Sequence, residues 1–338
     1  MTQPAPVGSA EHQRGRESAG QRNAIVVAGP TASGKSALAL MLAERLGGTV
    51  INADAMQCYR ELRIVTARPS VAEEARAPHA LYGVLPAAQA GSVAWWREAA
   101  LEAMAAASLP ILCGGTGMYL RALTRGLSAL PEVEEEVRAE SRAMLAEVGA
   151  ERMHAKLHPE DAAMLRPSDS QRIARAYEIW RGTGKSLAEW HRVAPVIPPA
   201  PYDFRVILLT PPREELHPAI ITRWAAMRAE GALEEVGALL TQGLDPALPA
   251  MRAHGVPELA AEWRGEITRA EADRRAVAGT WTYTRRQATW FRHQELAAPL
   301  TTHRINARIT CFAQFSERNF SDILAFLHRP VDAVQHAP

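Results

Sequence analysis

An eight-residue segment near the N-terminus has the composition of a phosphate-binding loop. Residues 29–36 match the pattern GxxxxGK[ST] in full, between an apolar strand pattern and a helix pattern. Glycines let backbone N–H groups turn toward a diphosphate, and the next helix N-terminus adds a partial positive charge. We expect Lys35 to reach an outer phosphate and the Ser36 hydroxyl to hold Mg²⁺. The predicted loop residues are Gly29, Pro30, Thr31, Ala32, Ser33, Gly34, Lys35 and Ser36.

Asp54 ends the second strand pattern, residues 49–54. In open parallel sheets ligands bind at the carboxyl ends of the strands, so we expect Asp54 to face the same crevice as the loop. A carboxylate there can be a general base or a magnesium ligand. An aspartate that caps a helix or turn fits the type and position at least as well, and all three interpretations stay open.

Glycines end the third strand pattern, residues 109–115, and Thr116 follows them. Glycine permits close backbone approach, and Thr116 can donate a hydrogen bond to a phosphate or leaving-group oxygen. Taken alone, the segment is better explained as a plain turn from strand to helix. No apolar run ends on the aspartate expected of a motor ATPase, which favours a small-substrate transferase or kinase.

Two helical segments are rich in arginine. In residues 171–176, Arg172 and Arg175 fall on one helical face. Residues 284–292 interleave arginine with aromatic side chains, which suits backbone phosphates and stacked, unpaired bases. From spacing alone, a solvated helix face over an aromatic core stripe is the better explanation.

The elements that must position these residues are strands alternating with helices. A further strand pattern lies at 204–210, and the alternation indicates βαβ units in a parallel sheet. From Pro131 to about Trp190 the chain has helical patterns and no strand candidate. Helix patterns also cover 215–242 and 256–295. The C-terminal segment contains a strand pattern at 308–313 and a helix pattern at 321–328.

Composition limits the class of protein. The 338 residues include 38 Lys+Arg and 37 Asp+Glu, a net charge of +1, so any nucleic-acid site must be a local patch. The three cysteines are widely spaced and form no CxxC pair, which argues against a zinc site and favours a reducing compartment. The N-terminus has no apolar signal core, and no run of about eighteen apolar residues occurs. We expect a cytoplasmic protein without a membrane partner.

Five segments, in their order and separations, resemble the tRNA dimethylallyltransferases (tRNA isopentenyltransferases). They are GPTASGKS (29–36), INADAMQCYRELRIVTARP (51–69), GGTGMYLRAL (114–123), PSDSQRIARAYEIWRGTGKS (167–186) and TRRQATWFR (284–292). The first is shared by many NTPases, whereas the combination of the others is specific.

The resemblance implies an α/β fold, a P-loop NTPase-like parallel sheet core with an inserted all-helical domain. The expected parts are a disordered N-terminal lead (1–22), the first part of the core (23–130), the helical insertion (131–200), the second part of the core with tRNA-binding helices (201–299) and a C-terminal tail (300–338).

The resemblance also implies a reaction. The family transfers a dimethylallyl group from dimethylallyl diphosphate to N6 of the adenine immediately 3′ of the anticodon. The loop from Thr31 to Ser36 would then bind the isoprenoid diphosphate, with Mg²⁺ beside Ser36. Asp54 would accept a hydrogen bond from the adenine amine and then deprotonate it. Thr116 would steady the oxygen that bridges to the leaving diphosphate, and Arg223 resembles the family arginine that also contacts this diphosphate.

Residues from four segments match positions at which the family meets the tRNA anticodon loop. They are Asp54, Ala55, Met56, Gln57, Gln171, Arg172, Ile173, Ala174, Arg175, Arg252, Arg285, Arg286, Gln287, Trp290 and Arg292. The expected partners are therefore a tRNA anticodon stem-loop and dimethylallyl diphosphate, and we expect a monomer.

The chain departs from the family pattern at three places. Ala55 stands where serine is usual, which removes a hydroxyl near the reacting amine. The run His254-Gly255-Val256-Pro257 lacks the tyrosine and lysine of the usual stretch, which weakens the tRNA contacts expected at 252–257. Arg285 replaces a lysine and keeps the charge.

Two other functions remain open from the residues. A P-loop kinase of a small metabolite would use Asp54 as the base for an acceptor hydroxyl and would turn over ATP without tRNA. A P-loop RNA-binding protein without catalysis would need only the arginine segments, and Asp54 and Thr116 would be dispensable.

Overall fold

The computed structural model describes residues 22–310 and 317–329. The chain divides into two compact units. One unit combines the chain up to Arg125 with the chain from Ala200 onward, and the other is Gly126–Pro199. Within the described ranges, no helix is both long and apolar enough to cross a membrane.

The strands of the first unit form one parallel sheet. In chain order the strands of both units are β1 (Arg22–Ala28), β2 (Thr49–Asn52), β3 (His79–Ala80), β4 (Pro110–Gly114), β5 (Leu127–Ser128), β6 (Val196–Ile197), β7 (Tyr202–Leu209) and β8 (Thr302–Ile305). The sheet of the first unit has the order β3-β2-β4-β1-β7-β8, and every neighbouring pair is parallel. The predicted parallel α/β core is confirmed.

Helices occupy most of the chain between the strands. They are α1 (Lys35–Leu46), α2 (Val71–Glu74), α3 (Val93–Ala106), α4 (Gly117–Thr124), α5 (Glu135–His154), α6 (Pro159–Met164), α7 (Ser170–Thr183), α8 (Leu187–Val193), α9 (Arg213–Ala229), α10 (Ala232–Leu240), α11 (Val256–Trp263), α12 (Arg269–His293) and α13 (Glu317–Leu327). Short 3₁₀ turns occur at Met56–Cys58, Ala250–Arg252 and Pro299–Thr301.

The central strand β1 is covered on both faces, which accounts for its unbroken apolar sequence. Ala24 and Val26 pack in a cluster with α3, α4 and α9–α12. Ile25 and Val27 alternate with them and pack in a second cluster with α1 and α13. The sheet is therefore a middle layer, and its carboxyl edge is where loops can carry polar groups.

The second unit is helical except for β5 and β6, which pair antiparallel. Its core buries Met153, Ile173 and Tyr177 from α5 and α7. Gly149 interrupts α5 with a φ of 76°, a conformation that L-residues with a Cβ rarely adopt. The β5–β6 pair is too short to leave an alternating pattern in the sequence.

Both long C-terminal helix patterns are divided in the structure. Gly231, at a φ of 101°, separates α9 from α10, because the left-handed region ends helical hydrogen bonding. Gly265, at a φ of 74°, follows α11, and the Thr268 side chain caps the start of α12. Apolar periodicity continues through these glycines, so the sequence pattern alone joins the helices.

The segment expected as a C-terminal tail, 300–338, contributes to the sheet unit in the part that the structure describes. β8 is the edge strand beside β7, and α13 packs on the α1 face of the sheet. The predicted strand at 308–313 is wrong over 308–310, which are not a strand, and 311–313 lie outside the described ranges. The helix predicted at 321–328 is confirmed by α13. Of the predicted lead, 1–22, only Arg22 is described, and it begins β1.

Candidate active site

The parallel sheet brings three separate segments to one edge. The glycine-rich loop follows β1, Asp54 follows β2, and Thr116 follows β4. Because β1, β2 and β4 are parallel neighbours or next neighbours, their carboxyl ends open on the same crevice. One cavity is lined by Lys35, Ser36, Asp54, Arg223, His254 and Tyr283, among others.

The loop is held in shape by its own glycine and by the chain beyond β8. Gly34 has a φ of 90°, and a Cβ there would overlap the backbone carbonyl of Ile309. The Ile309 N–H donates to the Ser33 carbonyl at 3.0 Å, and the Arg308 guanidinium donates to the Ala32 carbonyl at 2.9 Å. These bonds hold two loop carbonyls toward the segment that contains Arg308 and Ile309. Peptide N–H groups of the loop are then free to point away from that segment, as an anion site requires.

Lys35 begins α1 and is almost fully buried, with 8% of its surface exposed. Burial lowers the pKa of Lys35, while the nearby Asp54 carboxylate acts in the opposite direction and the Arg223 guanidinium adds to the lowering. Its Nζ is 3.5 Å from the Pro30 carbonyl oxygen, a long hydrogen bond. A buried ammonium so weakly bonded is well prepared to gain an anionic ligand.

Asp54 sits in a turn that the buried Asn52 side chain organises. The Asn52 amide accepts from the Asp54 N–H at 2.8 Å and donates to the Asp54 and Leu81 carbonyls. One Asp54 carboxylate oxygen, Oδ1, accepts from the Met56 N–H at 3.0 Å, which is the capping role that the sequence left open. Among the described residues, Oδ2 has no hydrogen-bond donor, so Asp54 can also accept from a ligand.

Thr116 is linked directly to the Asp54 turn. Its hydroxyl accepts from the Ala55 N–H at 3.0 Å, and its own N–H donates to the Ala53 carbonyl at 3.2 Å. Gly114 makes this approach possible, because a Cβ there would overlap the Ala53 carbonyl. Tyr283 of α12 lies close to Thr116, and burial raises the pKa of its phenol.

Two further side chains complete the cavity wall. Arg223 of α9 donates to the Thr66 carbonyl at 3.2 Å; burial lowers its pKa, and Asp54 opposes that shift. His254 packs on the Tyr283 ring with centroids 4.5 Å apart. Burial and the neighbouring Arg286 lower the pKa of His254, while Asp54 acts in the opposite direction, and the net shift favours the neutral imidazole.

The donors present fit a Mg²⁺ ion that shares its ligands with a substrate. The Ser36 hydroxyl and the Asp54 carboxylate line one cavity, and both offer the oxygen ligands that Mg²⁺ prefers. No cluster of three or more His, Cys, Asp or Glu that could hold a metal occurs in the described ranges. A Mg²⁺ ion here would therefore depend on diphosphate oxygens and water.

The predicted tRNA-contacting residues of α12 separate into two groups. Arg285, Arg286 and Arg292 are exposed, and none of them forms an ion pair with another described residue; we call them the α12 arginine segment. Trp290 is half-buried and packs so closely on Gly117 that a Cβ there would overlap its ring. Gln287 is 4% exposed.

The side chain of Gln287, which is also among the predicted tRNA contacts, points into the protein. Its side chain bonds to Thr31 and Gly115 inside the protein. The reason is helical period, since a residue one or two positions from Arg285 and Arg286 faces a different direction.

In the second unit, the predicted tRNA-contacting arginines of α7 form ion pairs, unlike those of α12. Arg172 pairs with Asp169 at 3.4 Å and Arg175 with Glu178 at 3.3 Å, both within their own helical turns. Ile173 is fully buried in the core of this unit, and the tRNA contact expected at this position stays a prediction. Gln171 is exposed.

The other predicted tRNA-contacting residues lie partly or fully at the protein surface or line the cavity. Ala174 is half-buried and Arg252 is exposed. Met56 and Gln57 line the cavity, and the Gln57 amide donates to the Thr66 and Ala67 carbonyls.

Sequence reasoning missed several residues that shape the site. The Glu235 carboxylate of α10 accepts from three successive N–H groups, those of Arg63, Ile64 and Val65, at 2.8–2.9 Å. Tyr283 and Arg308 also make the contacts described above. Of these residues, only Tyr283 could have been found from the sequence, because it lies one position before the arginine-rich segment. Glu235 and Arg308 reach the site from distant chain positions and lie in no recognisable motif.

Comparison with known proteins gives one consistent family. A family model described as IPP transferase matches residues 57–294, and one described as isopentenyl transferase matches 22–82. A tRNA dimethylallyltransferase of Granulibacter bethesdensis is 56% identical over 314 residues, covering 91% of this chain and 98% of that protein. Another, of Acidiphilium cryptum, is 54% identical over 310 residues, covering 91% and 95%.

Solved structures show the same similarity. The tRNA isopentenylpyrophosphate transferase of Bacillus halodurans aligns with a TM-score of 0.65 at 28% identity, covering 93% of this chain and 100% of that one. A eukaryotic dimethylallyltransferase that acts on tRNA aligns with a TM-score of 0.69 at 22% identity, covering 94% and 80%, and at that identity the likeness concerns the fold alone.

Proposed function

Since the chain belongs to the IPP transferase family, we propose that it transfers a dimethylallyl group from dimethylallyl diphosphate to N6 of the adenine immediately 3′ of the anticodon in tRNA. The products are N6-(dimethylallyl)adenosine and diphosphate. The observation that carries the proposal is a cavity shared by the glycine-rich loop, a carboxylate with an unoccupied oxygen and a buried cation.

The reaction determines what the protein must supply. The adenine amine is a weak nucleophile because its lone pair is delocalised into the ring. An allylic C1 compensates, since positive charge that develops there is shared along the double bond. The protein must therefore align the two groups, accept a proton from the amine and stabilise negative charge on the departing diphosphate.

Asp54 is the proposed general base. The N6 amine forms a bond to C1, the C1–O bond breaks, and a proton passes from N6 to the carboxylate oxygen Oδ2. The Met56 N–H bond to Oδ1 holds the carboxylate in one orientation. The Ala55 N–H bond to Thr116 ties this turn to the group proposed to steady the bridging oxygen, so base and leaving-group contact move together.

The diphosphate is the proposed ligand of the glycine-rich loop and its neighbours. Lys35, buried with its pKa lowered, gains an anionic partner when diphosphate binds, and Arg223 adds a second cation from α9. Charge-assisted hydrogen bonds of this kind strengthen as negative charge develops on the leaving oxygen. Mg²⁺, held by Ser36 and the diphosphate, would supply further Lewis-acid charge neutralisation.

The α12 arginine segment is the proposed contact with tRNA phosphates. The chain has a net charge of only +1, so local arginines must supply the affinity, and binding should weaken steeply with salt. The target adenine must leave the anticodon stack to reach Asp54, which requires a flipped base.

The test uses purified protein, Mg²⁺, radiolabelled dimethylallyl diphosphate and an anticodon stem-loop with adenine 3′ to the anticodon. A matched stem-loop carries guanine at that position and is the control. Label should move only to the adenine substrate. Label on neither substrate, together with ATP hydrolysis that needs no RNA, would overturn the proposal in favour of a small-metabolite kinase.

A further inference from the structure

The Gln287 side chain joins two segments that lie far apart in the chain. Its Oε1 accepts from both the N–H and the hydroxyl of Thr31, at 2.9 and 3.0 Å. Its Nε2 donates to the Gly115 carbonyl at 2.9 Å. The sequence separations are 256 and 172 residues, so no local structure would hold these segments together.

The Gln287 side chain is buried and closely packed. It is 4% exposed, and a Cβ at Gly115 would overlap its Nε2. Glycine at 115 is thus what lets the amide reach the backbone. A buried amide with both ends bonded is held in one position, because releasing either end would leave a buried polar group unpaired.

The two segments that Gln287 joins carry the two halves of the proposed chemistry. Thr31 belongs to the loop that would bind the diphosphate, and Gly115 immediately precedes Thr116. Tyr283, one helical turn earlier on α12, lies beside both Thr116 and Gln287. Gln287 on this face of α12 therefore connects the loop after β1 with the end of β4.

We propose that Gln287 is a positioning residue that sets the distance between the diphosphate loop and the Thr116 strand end, and that it does not contact tRNA. The inference rests on the proposed function for its kinetic consequence only. Its structural content, that the loop requires Gln287 to adopt its anion-binding shape, is separately testable with inorganic diphosphate.

A different role for the same contacts has the opposite consequence. If the amide merely occupies Thr31 until a diphosphate displaces it, removing the amide would tighten diphosphate binding. If Gln287 positions the loop, removing it weakens binding. The sign of the change in affinity therefore decides between the two roles.

The experiment compares the full-length protein with Gln287→Leu, which removes all three bonds at similar size, and Gln287→Asn, which keeps the amide on a side chain one methylene shorter. We expect inorganic diphosphate, titrated by calorimetry with Mg²⁺, to bind about tenfold more weakly to Gln287→Leu. The kcat for transfer should fall about 10- to 100-fold, while the Kd for the stem-loop changes less than about twofold.

Thr284→Val is the matched control. Thr284 is fully buried on α12, and its hydroxyl donates only within its own helix, to the Thr280 carbonyl. We expect a lowered Tm in this variant with unchanged diphosphate affinity and kcat. If Gln287→Leu fails to fold, Gln287→Asn provides the measurement, since it should fold and show at least a several-fold loss of diphosphate affinity.

Three outcomes would overturn the inference: tighter diphosphate binding in either Gln287 variant, weaker stem-loop binding with diphosphate affinity intact, or a lowered Tm alone, as in Thr284→Val. Absence of transfer in the unaltered protein would refute the proposed function and leave the diphosphate comparison valid.

Discussion

The charged side chains of the cavity and those of α12 differ in their exposure to solvent. Lys35 and Arg223 lie in the cavity wall, where burial lowers the pKa of each, and both sense the Asp54 carboxylate. Arg285, Arg286 and Arg292 are exposed and have no carboxylate partner among the described residues. The first group has lost hydration that a ligand can replace, whereas the second keeps its hydration and counterions.

This difference predicts two kinds of mutational effect. In a water-poor site each interaction is strong and little screened by salt. At an exposed helix surface each contact is weaker, and binding is driven by counterion release. The cavity residues should therefore control the transfer step and the diphosphate, and the α12 arginine segment should control tRNA affinity and its salt dependence.

The largest effect is expected at the carboxylate. Asp54→Asn keeps an acceptor for the Met56 N–H and removes the base, so the single-turnover rate should fall about 10²- to 10⁴-fold. Stem-loop affinity, measured by filter binding, should stay within about threefold. Loss of stem-loop binding, with the rate restored at high stem-loop concentration, would contradict the general-base role.

Lys35→Met should have the next largest effect. It removes a buried charge-assisted hydrogen bond, so the Kd for inorganic diphosphate should rise about 10- to 100-fold. Arg285→Lys, which keeps an exposed charge, serves as the control and should leave this Kd unchanged. An unaltered Kd in Lys35→Met would separate Lys35 from the diphosphate.

The same lysine predicts a pH dependence. Burial lowers the pKa of Lys35 in the free protein, and a bound diphosphate raises it again. The contribution of Lys35 to affinity is therefore complete below the free-state pKa and is lost as pH rises through the bound-state pKa. The ratio of wild-type to Lys35→Met affinity should shrink as pH rises toward the ordinary lysine pKa of about 10.4; a ratio that grows with pH would exclude this linkage.

A moderate, salt-dependent effect is expected on α12. Arg286→Ala should weaken stem-loop binding about tenfold near 0.1 M salt and reduce the slope of log K against log salt by about 0.7 to 0.9. Arg274, on the same helix, is paired with Glu271 at 2.7 Å, so Arg274→Ala is the matched control. An unchanged slope in Arg286→Ala would place this arginine away from tRNA phosphates.

The smallest effect is expected on α7. Arg172 already pairs with Asp169, which caps α7, and Arg175 pairs with Glu178 of the same helix. Arg172→Ala should therefore change stem-loop affinity less than about threefold. Titration of Arg172→Ala and Arg286→Ala at several salt concentrations compares the two segments directly. Equal slopes in the two variants would show that the ion pairs of α7 do not reduce its contribution.

Much of the crevice could be predicted from local patterns. The loop at 29–36, Asp54 and Thr116 each follow an apolar strand, and the strand alternation predicts that their carboxyl ends meet. The structure bears out this convergence of the strand ends. Loop residues and Asp54 line one cavity, and Thr116 is bonded to the turn that carries Asp54. A strand buried on both faces leaves a strong apolar run in the sequence, which is why β1, β4 and β7 were predictable whereas the two-residue β3 was not.

By itself, the sequence determined the parallel core, the loop that suits a phosphate and the order of the segments that identify the family. Only the tertiary structure decided which polar side chains are available. In one helical turn, Arg286 is exposed while Gln287 is buried and bonded to Thr31. The reason is that exposure and partner choice depend on residues brought close from distant positions, such as Ile309 beside Gly34, and no local pattern records those contacts.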